Sequence, residues 1–127
     1  MIHPGNSLEV WRGDELVYAD TGKWLHPLFG LEKFLSGSDL PREELFLEDK
    51  IVGRGAAFLI VRMGLRRVRA QILSRPGLEV LRGHGVDVSW ASLVDRISCR
   101  TEELLQDMTD PEAACELLKA RAAASGA

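Results

Sequence analysis

Apolar and polar positions along this chain alternate between a two-residue and a 3.6-residue rhythm. Leu8 to Arg12 and Glu15 to Ala19 read as two short strands around Gly13-Asp14, a Gly-X pair that signals a type II′ hairpin. Pro27 opens a helix carrying Leu28, Leu31, Phe34 and Leu35, and Ser36-Gly37-Ser38 closes it. Asp39 to Glu44, with Pro41, reads as an exposed connection, and Leu45 to Glu48 as a short strand. Asp49 to Gly64 then reads as a buried helix. Ile51, Val52, Ala56, Ala57, Phe58, Leu59, Ile60, Val61 and Met63 leave it almost no polar side, with Asp49 as N-cap and Gly64 as stop.

Beyond Gly64, Val68, Ala70 and Ile72 alternate with Arg69 and Gln71 as a strand. Ser74-Arg75-Pro76 starts the next helix, capped by Ser74, with Leu78 and Leu81 inward and Gly83 or Gly85 at its end. Val86 to Trp90 is a further strand. Leu93, Val94 and Ile97 suggest a short helix, Thr101 to Met108 another, and Pro111 to Arg121 a last one capped by Asp110. Residues 45–90 therefore run strand–helix–strand–helix–strand, an order that predicts right-handed crossovers and parallel pairing. Together with the hairpin this predicts an α/β fold: a mixed sheet with helices on both faces, in one domain over residues 1–121 and a frayed tail over 122–127.

Composition narrows this only a little. The 127 residues are 46% hydrophobic and 28% charged, an ordinary globular profile. No run approaches the roughly 18 apolar residues of a membrane span. The two cysteines, Cys99 and Cys115, imply no disulfide framework, and the first residues show no signal pattern, so a cytoplasmic protein is expected. Charge is uneven: residues 54–82 hold seven arginines against Glu79 alone, between two acidic flanks. That stretch suits either an anionic ligand or a solvated face balanced by the flanks. With Phe58 its only aromatic residue, it makes a poor platform for nucleic-acid bases.

The segments DKIVGRGAAFLIVRMG and SRPGLEVLRGHGVDV resemble a small prokaryotic family of unknown function with the cytidine-deaminase-like fold. That resemblance implies a three-layer α/β/α sandwich. Zinc deaminases of this fold place His-x-Glu at the start of one helix and Pro-Cys-x-x-Cys at the start of the next. Here Pro76-Gly77-Leu78-Glu79-Val80 stands where the second motif would begin, and the helix entered at Asp49 has no histidine near its start. The resemblance thus implies the frame without zinc, without another cofactor, and not a zinc-dependent deaminase.

Ligands of open parallel sheets bind at the carboxyl ends of strands, where helix N-termini present unpaired N–H groups. The starts of the two central helices carry Asp49, Lys50, Gly53, Arg54 and Gly55, and Ser74, Arg75 and Gly77. These eight are the candidate binding residues. They are expected to face each other across one crevice for a small anionic or nucleotide-like ligand. Cys99, beside Arg100 and before Thr101, is a weaker candidate thiol. The alternative is a non-catalytic interaction protein. Trp11, Trp24 and Trp90 lie in short peripheral segments, where large apolar groups are hard to cover, and so point to a homo-oligomer.

Overall fold

A computed structural model describes residues 2–97 and 104–124. The element order is β1 (Leu8–Arg12), β2 (Glu15–Asp20), α1 (His26–Ser36), a 3₁₀ turn (Arg42–Glu44), β3 (Leu45–Val52), α2 (Arg54–Met63), β4 (Arg67–Ser74), α3 (Arg75–Gly83), β5 (Asp87–Val94) and α4 (Pro111–Ala124). The five strands form one mixed sheet in the order β2-β1-β3-β4-β5. β1 is antiparallel to β2 and to β3, while β3, β4 and β5 run parallel. Gly13 supplies the positive φ of +60° that a II′ hairpin needs between β1 and β2.

Because β2 and β3 both oppose β1, they are parallel to each other. Every helical crossover therefore advances in the same direction, and right-handed connections put α1, α2 and α3 on one face. α2 packs between α1 and α3, with α4 against it as well. This corrects the expectation of helices on both faces: among the described residues the layers are sheet, three helices, then α4. The buried residues Leu8, Val10, Leu45, Leu47, Val68 and Ala70 share the helix-facing side of the sheet. They form one core with Leu28, Leu31 and Leu35 of α1, Phe58, Leu59 and Ile60 of α2, and Leu118 of α4.

Several element ends differ from expectation. β3 continues through Asp49 to Val52, because its ladder with β4 runs as far as Val52↔Leu73 and Lys50 N–H donates to Ser7 O at 3.1 Å. Asp49 is thus a strand residue, and Gly53 is the N-cap of α2. Leu93 and Val94 belong to β5, paired with Leu73 and Ser74, and not to a helix. α4 runs on to Ala124, past the expected end at Arg121. The Thr101 to Met108 helix falls partly outside the described residues, as do Cys99 and residues 125–127. Gly64 ends α2 in the left-handed region (φ +81°), as expected. Arg42 closes the same end, donating to Leu35 O, Leu40 O and Met63 O and so tying the last turns of α1 and α2 together.

Candidate functional site

The parallel strands β2 and β3 end at the same edge of the sheet, and each leads into a helix. Between the starts of α1 and α2, beside the beginning of β1, lies a cavity of about 370 Å³. Gly22, Lys23, Trp24, Leu25 and Pro27 form its α1 side; Asp49, Lys50, Ile51 and Gly53 to Ala56 form its α2 side. Ser7 and Ile97 complete the wall.

Neither helix start is closed by a side chain. The N-cap positions are Leu25 for α1 and Gly53 for α2, and neither makes a side-chain cap hydrogen bond. The helical ladder of α2 begins with Ala57 N–H donating to Gly53 O at 3.0 Å. The amides of Gly55 and Ala56 precede it and have no acceptor within the helix. Trp24, on the opposite wall, has φ +56° and is the one non-glycine residue with positive φ among those described. A bulky residue in that region is strained, and such strain gathers at binding sites.

Asp49 is the one carboxyl among the lining residues. Burial pushes it up to about 7, against the opposing pull of the Ile51 and Lys50 backbone N–H groups. The contact from Ile51 is long, 3.4 Å to Oδ1. Lys23, Lys50 and Arg54 are the basic lining residues, and the last two are engaged elsewhere. Lys50 Nζ donates to Pro4 O at 3.2 Å. Arg54 is buried, with Nε donating to Leu105 O at 2.6 Å, Nη2 to Met108 O, and its guanidinium 5.2 Å from the Phe58 ring centre. Arg54 therefore docks the segment before α4 onto the start of α2.

Of the eight candidate residues, Asp49, Lys50, Gly53, Arg54 and Gly55 line this cavity; Ser74, Arg75 and Gly77 do not. The start of α3 is sealed by its own chain. Ser74 Oγ accepts from Gly77 N–H at 3.0 Å. A Cβ on Gly77 would sit 3.0 Å from Gly53 O and 3.1 Å from Val52 O, so close backbone packing accounts for that glycine. Arg75 lies on the surface and pairs with Asp95 at 2.8 Å. The expected crevice between the starts of α2 and α3 is thus replaced by one between α1 and α2. The residues missed in the sequence are Ile51, Ala56 and Ile97, near those proposed, and the whole facing wall of Ser7, Gly22 to Leu25 and Pro27. The hairpin signals only that β2 opposes β1; the pairing of β1 with β3 makes β2 parallel to β3 and brings the helix after it to the same edge.

Several arginines of the basic third are engaged locally. Arg62 pairs with Glu32 of α1 and Glu112 of α4, Arg67 stacks over Phe46, and Arg66 donates to Gly85 O. A zinc site of the deaminase kind would need its ligands at the two helix starts that share the cavity, those of α1 and α2. α1 does open on a histidine, but the His26 ring packs against Trp24 and Phe29, and Leu28 stands where the glutamate would be. α2 starts Arg54-Gly55-Ala56-Ala57, which offers no thiolate. These residues do not fit a catalytic zinc.

The TM1506 model, a domain of unknown function (DUF1893), matches residues 27–121. No curated protein matches the chain. The crystal structure of a DUF1893 family protein (TM1506) from Thermotoga maritima is similar to 91% of this chain and 80% of its own, with a TM-score of 0.80 and 22% sequence identity. At that identity the likeness shows the fold. No described helix is long and apolar enough to cross a membrane. Since the family model spans most of its length, the chain belongs to the DUF1893 family of domains of unknown function.

Proposed function

We propose that the cavity between the starts of α1 and α2 binds a small molecule with a flat apolar body and an anionic head, an organic acid or a nucleotide-like compound. The observation that carries this is the convergence of two helix starts without side-chain caps on one cavity. Its volume, about 370 Å³, lies in the range of small-molecule sites. Trp24, Leu25, Pro27, Ile51 and Ile97 supply apolar walls, and the first-turn amides of α2 supply donors for an anion. A deaminase-type frame accords with this reading, since such enzymes build one site from the starts of two successive helices. The zinc chemistry of that frame has no counterpart among the described residues of the two helix starts, so the reading supported is ligand binding.

Self-association has less support. Trp24 belongs to the cavity, Trp90 lies under the Arg82 guanidinium at 5.5 Å, and Trp11 stacks on His3. The binding proposal is tested by recording amide NMR spectra of the ¹⁵N-labelled protein during titration with adenosine monophosphate and with benzoate. Saturable shifts should gather at Gly53 to Ala56 and at Gly22 to Leu25. Shifts centred on Arg75 to Leu78, or none with either compound at millimolar concentration, would refute it.

A further inference from the structure

We propose that the cavity takes an organic acid only when Asp49 is protonated, the proton staying on Asp49 while its O–H hydrogen-bonds to the ligand's carboxylate. The inference rests on the cavity being a ligand site, as proposed above, and adds how its occupancy is controlled.

Charge inside the cavity carries the argument. Asp49 is its one carboxyl, set in β3 beside the first turn of α2. The charged groups facing it can be taken element by element. The β2–α1 side contributes Lys23, and also Asp20, level with Asp49 across Leu8, whose carboxylate accepts from Gly22 N–H at 2.7 Å and Tyr18 O–H at 3.2 Å; from β3 comes Lys50, turned to Pro4 O; from α2 comes Arg54, bonded to Leu105 O and Met108 O. Ser7 and Ile97 bring no charge. A carboxylate arriving at the amides of Gly55 and Ala56 thus meets a second carboxyl in a mostly apolar space. Two ionised carboxylates in such a space repel strongly, and one shared proton removes the conflict. Asp49 then donates O–H to one ligand oxygen while the helix amides donate to the carboxylate as well. No covalent bond changes; one proton resides on Asp49 in the complex.

The carboxyl is already disposed to hold that proton, since burial has pushed it up to about 7. The sign follows. Below that pH Asp49 is protonated and the site accepts the anion directly. As pH rises past it, each binding event must take up a proton, and affinity falls by about tenfold per pH unit.

Calorimetric titration with benzoate tests this, at about pH 6 and about pH 8.5, in two buffers of different ionisation enthalpy at each pH. Benzoate stays ionised throughout, so any linkage comes from the protein. Wild type should bind more than tenfold tighter at the lower pH, with uptake of close to one proton at the higher. Asp49→Asn, an amide donor at every pH, should bind with an affinity that does not change between them. The wild-type profile needs no variant, so the test holds even if Asp49→Asn folds poorly. Equal wild-type affinity at both pH values without proton uptake overturns the coupling and leaves the pocket standing. Adenosine monophosphate binding without benzoate binding does the same. Failure of both compounds at both pH values defeats the coupling and the pocket together.

Discussion

The starts of α2 and α3 look alike in the sequence and are opposites in the structure. Each follows its strand at once, has an arginine in its first turn and glycine close by. At α3, Ser74 caps the helix, Gly77 rests on the Val52 and Gly53 carbonyls, and Arg75 reaches out to exposed Asp95. At α2 no side chain caps the helix, the glycines face a cavity, and the arginine is buried in contact with residues more than fifty positions away. Whether a helix start can receive a ligand is therefore decided by what lies across from it. α3 begins against the turn into α2; α2 begins against the loop into α1.

The sharpest way to break this contrast is Arg54→Ala. It removes the charged donors from both carbonyls, leaving Met108 O without this partner and Leu105 O with only the Met108 N–H at 3.0 Å. A hydrogen bond from a charged donor contributes about 1.5–3 kcal/mol, and one of the two carbonyls keeps another donor, so a fall in unfolding free energy of about 2–3 kcal/mol is expected from urea titration. A change below about 0.5 kcal/mol, the level of an ordinary surface substitution, would mean that Arg54 does not dock the later segment. Gly77→Ala comes next. Its methyl group meets backbone carbonyls at 3.0 and 3.1 Å, and backbone yields less easily than a side-chain tip. A destabilisation of about 1–3 kcal/mol is expected, the range of overpacked sites. A gain in stability, as at an unconstrained helix position, would show that the start of α3 is open after all.

Smaller effects separate cap from ornament. Ser74→Ala should cost about 1 kcal/mol through loss of the Gly77 cap bond. Arg75→Ala should cost less than about 0.5 kcal/mol, because its pair with Asp95 is exposed. Thermal melts of the two variants side by side check the order. If Arg75→Ala proves the more damaging, the arginine has a structural role that its surface position does not reveal.

The same comparison shows what could be read in advance. The succession of strands and helices from Leu45 to Trp90 was legible, because local periodicity and the Ser74 and Gly64 signals agree with the tertiary fold. Asp49 was not. Followed by Ile51, Val52 and a long apolar run, it fits a helix cap as well as a strand, and only the ladder from β3 to β4 decides. Leu93 and Val94 went the same way, taken into β5 by pairing with Leu73 and Ser74. Five of the cavity residues were reachable from the glycine-rich start of α2. The facing wall from Gly22 to Pro27 required knowing that β1 lies between two parallel strands, a relation held in pairing rather than in any local pattern.

Arg54 also bears on the order in which the protein matures during synthesis. The sheet and its first three helices are encoded by residues 8–94, and a chain leaves the ribosome N-terminus first. The carbonyls that hold Arg54 belong to Leu105 and Met108. A nascent chain can therefore complete its sheet while the guanidinium at the cavity's edge still lacks its final acceptors. The residues of the scaffold are made before the carbonyls that complete the cavity's edge.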